Sequence, residues 1–304
     1  MPDSSIIWRG NRVTMAALRR IARLAVTPGI GWLLVFFVLP TLLLLGIAFA
    51  TRSPVGGIEW KFTTANFTKL VGYGTFGWKP TNLTILLRSL NLAALTTVIC
   101  LLLAYPLAFF IAMRPARTRT LWLIALTVPF WTNLIVRTYA WLILLGPESP
   151  IARLAAWLDW VPAGAPLYPG MFATGLGMVS AFLPFMVMPL YASVEKMQWS
   201  LVEAAQDLYG GAWRVFRHAI LPQTMPGLSV GVLLTFIPSM GSFVVSDILG
   251  GAKFMLVGNL IQMQFSFGSG SPPYAAALVL VLILITLGLI ALFSRLGGKK
   301  EELI

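Results

Sequence analysis

A chain of 304 residues that is 58% hydrophobic and only 11% charged cannot clothe a water-soluble globule, which carries roughly a quarter of its residues as charges. Its net charge of +12 would fit nucleic acid if it were gathered on one face, but the basic residues are dispersed between long apolar runs. One cysteine (Cys100) and one histidine (His218) exclude an intrachain disulfide and leave no cluster with metal-ligand spacing.

Lipid is the natural solvent for this surface. Six apolar runs, at 30–50, 90–113, 121–145, 171–191, 226–249 and 275–293, approach or exceed the roughly 20 residues that a helix needs to cross a bilayer core of about 30 Å. Ahead of the first, Arg12, Arg19 and Arg23 recur at helical spacing opposite Met15, Leu18 and Ala22. Residues 1–29 therefore read as an amphipathic segment on the cytoplasmic membrane surface, with an irregular basic tail as the alternative. Ala48-Phe49-Ala50 mimics a signal cleavage site, yet the run before it is too long for a cleaved signal, so a retained helix is expected. Asn66-Phe67-Thr68 matches a glycosylation acceptor, a pattern too common to carry weight.

Orientation follows from lysine and arginine. With both termini inside, inner segments hold fourteen, grouped around Arg12, Arg117, Arg214 and Lys299, against six in outer segments. This obeys the positive-inside rule and makes the charge a topology signal. Residues 30–296 form the membrane domain and 297–304 a cytoplasmic tail. Pro106, Pro129, Pro184, Pro189 and Pro238 interrupt the spans, each freeing a carbonyl that a neighbouring helix or a wet cavity must satisfy.

The inner segment 192–222 differs from the other loops. It mixes charges of both signs and contains Glu203-Ala204-Ala205, Gly210-Gly211 and Leu221-Pro222. The expected structure is helix, break, helix. Ala204, Ala205 and Leu208 form an apolar side, the glycines allow a turn, and Pro222 resets the chain for the next span. A short helix standing clear of the membrane is a handle for a partner protein.

This segment resembles the EAA loop of permeases in ATP-binding-cassette importers. The resemblance implies an all-α, type I importer permease fold of about six spans, with Glu203, Ala204, Ala205, Gly210, Gly211, Leu221 and Pro222 in a coupling loop that docks on an ATPase. Two positions depart from the family pattern: Tyr209 stands where the loop's glycine is expected, and Ala219 where isoleucine is usual. Further stretches resemble spermidine/putrescine permeases: Val128-Pro129-Phe130-Trp131-Thr132-Asn133 with Arg137, Leu183-Pro184-Phe185, and Gly241 through Asp247 to Gly258-Asn259. The resemblance implies a bacterial inner-membrane assembly with a second homologous permease, an ATPase dimer and an extracytoplasmic binding protein. ATP would be bound by the partner; this chain has no G-x-x-x-x-G-K-[ST] loop with which to cradle phosphates, and no cofactor or catalytic residue is expected.

Glu203 is the leading coupling residue, as the acidic start of the inner helix; a solvated carboxylate favoured by the helix dipole is the plainer reading. Asp247 is the one acidic residue inside an expected span, and intramembrane charges are costly enough to count as functional by default. With Phe243, Trp131 and Tyr139 it could line a path for a polyamine, offering a carboxylate and aromatic faces to ammonium groups. Alternatives are an Asp247–Arg137 ion pair or a place at the outer interface. Arg137 is awkward for a cation path, which keeps an anion or a metal ion open as cargo. A self-sufficient secondary transporter would need coupling charges within its spans, and this chain has almost none.

Overall fold

The computed structural model describes residues 27–53, 57–74, 77–78, 80–251, 254–266 and 270–297. The amphipathic reading of residues 1–29 falls almost wholly outside them, as does the tail from 298 onward.

The first apolar run forms α1 (Thr27–Ala48), which widens at Leu34–Val38 into a π turn closed by the Leu39 N–H on the Leu34 carbonyl. Its end is held from outside the helix. Asn66 donates through Nδ2 to the carbonyls of Ala48 (2.8 Å) and Ala50 (2.9 Å), satisfying acceptors that a helix terminus leaves bare. Asn66 thus has a structural use. It sits in α2 (Ala65–Val71), flanked by two short antiparallel hairpins, β1 (Thr51–Arg52) with β2 (Ile58–Glu59) and β3 (Tyr73–Gly74) with β4 (Gly77–Trp78).

The second span, α3 (Thr81–Ala112), begins earlier than the apolar run at 90. Its first turns lie against protein, so polar residues are affordable there: Thr84 Oγ1 donates to the Pro80 carbonyl (2.9 Å) and Arg88 stacks on Phe254 (5.1 Å).

The third span is not one straight helix, contrary to expectation. It breaks into α4 (Ala116–Trp131) and α5 (Leu134–Leu144), bent by 92°. The cause is local. Pro129 cannot continue the α ladder, and Asn133 caps α5 by accepting the Ile135 N–H at 2.8 Å, as an N-cap residue should. The Pro129 carbonyl is served by Thr132 Oγ1 (2.6 Å) and Arg137 Nη1 (3.3 Å).

After α6 (Pro150–Trp157) comes the central helix α7 (Met171–Glu195), then α8 (Trp199–Tyr209). The fifth expected span, 226–249, is corrected at both ends: α9 runs from Ala212 to Gly241. Pro222 does not restart the chain. A π turn at Phe216–Ile220, closed by the Leu221 N–H on the Phe216 carbonyl, absorbs the proline within a continuous helix. At the other end Ser242 turns extended, and a separate π turn (Ser246–Gly250) leads to α10 (Val257–Phe265) and α11 (Pro272–Gly297). Among the described residues five helices are long and apolar enough to cross a bilayer, or six if the bent pair is one span.

The core is built around α7, which packs along α3 and α9. Cys100, Ala104, Ala108 and Ile111 of α3 meet Met186, Val187, Leu190 and Val194 of α7. Lipid supplies no hydrophobic drive between helices, so close approach through small residues must do that work. Gly227 and Gly231 of α9 provide it: a Cβ on Gly227 would stand 2.2 Å from the Pro189 carbonyl oxygen, and one on Gly231 2.8 Å from Met186 Sδ. Tyr105 and Thr224 add a hydroxyl pair at 2.5 Å between α3 and α9.

Candidate functional site

Two regions collect the chemically able residues, one at each end of the bundle. At one end, α8 and the residues just before it rest on the bundle: Met197, Val202 and Ala205 pack against Val215 and Ala219 of α9. This corrects the expected apolar side: Ala205 is buried, but Ala204 faces out and Leu208 is 79% exposed. Burial follows the Val202–Ala205 stripe because α8 lies across α9, and Leu208 projects beyond it. Glu203 is exposed in mid-helix, not at the helix start, because α8 begins at Trp199. The helix dipole, which acts over the first turn, therefore gives no account of it.

Gly210 ends α8 in the left-handed conformation (φ +62°), its N–H on the Gln206 carbonyl at 2.9 Å; this is the glycine C-cap geometry that other residues adopt at a cost. The departure at Tyr209 is thereby absorbed: the helix runs one residue further before its glycine. Gly211 is extended. Ala219, the second departure, is small enough to be buried beneath Val202 and Ala205. The Gln198 N–H donates to Gln223 Oε1 at 2.8 Å, tying the start of α8 to α9 close to Leu221 and Pro222. Between the helices Leu201, Ala204, Leu208, His218 and Pro222 line an open groove of about 330 Å³. Alongside, Arg119 bridges to Glu195 at 2.6 Å and caps the Ala112 carbonyl at 3.0 Å, fastening the C-terminal ends of α3 and α7. The surface that carries Glu203 is thus firmly attached to the spans.

At the other end, Asp247 lies beyond the end of α9, in the π turn, and is exposed. Its turn is nonetheless set into the bundle. Val245 and Leu249 close on Gly177, where a Cβ would meet them at 2.9 and 2.6 Å. Gly177 lies six residues along α7 from Met171, about 9 Å at 1.5 Å per residue, so this turn is seated near the Met171 end of that helix. Asp247 makes no ion pair with Arg137, among the described residues. Its Oδ1 accepts from Asn259 Nδ2, and its N–H rests on the Phe243 carbonyl (2.8 Å). Arg137 pairs with no acid among the described residues; it turns back to the Pro129 carbonyl and stacks on Phe130 at 5.3 Å.

The structure brings Asp247 and Phe243 together, one helical turn apart, and both are exposed. No hydrogen bond or ring contact among the described residues joins Trp131 or Tyr139 to them, although α5 packs against the π turn. Trp131, 82% exposed, stands at the end of α4, and Tyr139 lies on the outward side of α5 with Ile135 and Ile143. Asn259 was missed by sequence reasoning. Its signal was weak but present: a lone amide in the apolar stretch Met255-Leu256-Val257-Gly258-Asn259-Leu260-Ile261.

No family model matches the chain. Over 236 residues, 78% of this chain and 83% of the relative, it is 41% identical to the spermidine/putrescine transport system permease protein PotB of Escherichia coli (strain K12). It is 36% identical over 235 residues to PotB of Haemophilus influenzae, covering 77% of this chain and 80% of that one. Among solved structures, a chain of the bacterial alginate ABC transporter, in complex with an alginate pentasaccharide-bound periplasmic protein, superposes with a TM-score of 0.66 at 13% identity, covering 94% of this chain and 97% of that one; at that identity the likeness speaks for the fold. The fold is that of an importer's transmembrane subunit, and the chain belongs to the family of the spermidine/putrescine transport permease PotB.

Proposed function

We propose that this chain is the membrane-spanning permease of an ATP-driven importer that carries spermidine or putrescine into the cytoplasm. The observation that carries the reading is the 41% identity to PotB over most of both chains. The chain does no covalent chemistry in this reading. Its partners are a second permease, a pair of ATPase subunits at α8, and a binding protein at the outer loops. The membrane is the bacterial inner membrane, with both termini inside as the lysine and arginine distribution requires.

The residues fit such a cargo. A polyamine is a string of ammonium groups on methylenes. Asp247 is an exposed carboxylate at the Met171 end of the bundle, with Phe243 one turn away. A carboxylate so placed is costly against lipid, so that face belongs to a wet path or a partner. Arg137, which favoured an anionic cargo, is turned away from Asp247: its Nη1 donates to the Pro129 carbonyl (3.3 Å) and its guanidinium lies over the Phe130 ring.

The test is uptake of radiolabelled spermidine and putrescine by cells lacking this chain and any second polyamine importer. Re-supplying wild type restores uptake of at least one of them, and excess unlabelled polyamine, but not molybdate, abolishes the signal. If deletion leaves polyamine uptake unchanged, the cargo is wrong.

A further inference from the structure

We propose that Asn259 is a positioning residue, which holds one oxygen of Asp247 so that the other is presented to a cationic group of the passing substrate. The proposal rests on the polyamine reading and adds to it the device that aims the carboxylate.

Asn259 is 5% exposed, and its amide is used to capacity. Oδ1 accepts the Ser246 hydroxyl (2.7 Å) and the Leu256 N–H (3.0 Å). Nδ2 donates to the Phe243 carbonyl (3.2 Å) and to Asp247 Oδ1. A side-chain amide has two donors and two acceptor lone pairs, and all four are engaged. A flipped amide would set Nδ2 against the Leu256 N–H, donor to donor, so the orientation is fixed. Fully satisfied buried networks are rigid. This one is anchored further by the Val257 N–H on Ser89 Oγ of α3 (2.7 Å). Gly258 lets α10 approach this closely, since a Cβ there would lie 2.6 Å from the Gly241 carbonyl oxygen.

One side of Asp247 is therefore clamped to α10. Its Oδ2 has no donor among the described residues, and the residue is exposed. Phe243, whose carbonyl the same amide grips, is held beside it. A primary ammonium donates a strong charge-assisted hydrogen bond to such an oxygen, and the adjacent ring face suits a neighbouring methylene or ammonium.

The experiment uses the complete assembly in proteoliposomes, with initial rates of labelled spermidine uptake measured against binding-protein-delivered substrate. Asn259→Ser and Asp247→Asn are each expected to lower uptake by about tenfold, and the double variant no further, since coupled residues are not additive. Asp247→Asn keeps an oxygen for Asn259 Nδ2 and removes the charge alone. It is expected to assemble at wild-type level and still lose spermidine uptake, which a merely structural bond would not predict. Should Asn259→Ser not reach the membrane, Asn259→Gln, which keeps the amide but displaces it, is read in its place with the same expected loss. Wild-type uptake by Asp247→Asn, multiplication of the two single losses, or wild-type uptake by the Asn259 variant would each overturn the positioning role while leaving the cargo intact. A wild-type assembly that takes up neither polyamine overturns the cargo, and this proposal with it.

Discussion

Gly227→Ala is expected to lower the thermal unfolding midpoint of the detergent-extracted assembly by roughly 2–5 °C, from an overpacking cost of about 1–3 kcal/mol. One methyl group is enough because of what it meets. Its Cβ would lie 2.2 Å from the Pro189 carbonyl oxygen and 2.3 Å from Ser193 Oγ, and the first of these is backbone that cannot rotate away. Relief requires α9 and α7 to part, which also pulls on the Tyr105–Thr224 pair. The control is the same chemical change at Gly288, whose added methyl meets nothing within 4 Å; Gly288→Ala leaves the midpoint in place. Equal midpoints for the two variants would show that the α7–α9 crossing is not held by close packing.

The second large effect belongs to Glu203. Glu203→Arg is expected to cut uptake by about tenfold or more, the scale on which reversed charges penalise an interface, while the chain still reaches the membrane. The folded chain has no stake in this carboxylate: it is exposed, sits in mid-helix and makes no ion pair among the described residues. A loss of transport without loss of chain therefore reports on a partner surface. The readout is uptake together with ATP hydrolysis stimulated by the loaded binding protein, and both fall. Glu203→Arg uptake at wild-type rate would remove Glu203 from the coupling surface. Its neighbours Leu201 and Leu208, exposed on the same helix, would then be the next to vary.

Much of this architecture was legible because lipid imposes a simple rule, long apolar runs, and the runs at 30–50, 171–191 and 275–293 became α1, α7 and α11 with only their ends adjusted. Where helices leave the lipid the rule lapses. The start of α3 carries Asn82 and Arg88, and the first turns of α9 carry Arg214, Arg217 and His218, so both were cut short by hydropathy. The 92° break was encoded in Pro129 and Asn133, but neither residue alone specifies a bend; it takes the proline and the cap together, with Arg137 covering the freed carbonyl. At the inner site, the glycine turn was readable from Gly210-Gly211, whereas the buried stripe of α8 was not, because it depends on how α8 lies across α9. At the outer site, Asp247 stood out by charge. Its partner did not: Asn259 reaches it only because the chain reverses at Gly251 (φ +58°) and α10 folds back onto the π turn, a tertiary event with no periodic signature.

The central claim, that this chain forms a polyamine path powered from outside itself, is tested most directly by reconstitution. The assembly of this permease, its partner permease, ATPase and binding protein is placed in sealed vesicles, and labelled spermidine and putrescine are followed with ATP on one face only. The account predicts accumulation of polyamine when ATP is on the face that carries α8 and binding protein is on the other, and none when the nucleotide is withheld or cannot be hydrolysed. Accumulation without nucleotide, or exclusion of both polyamines by an assembly that hydrolyses ATP and imports another solute, would contradict it.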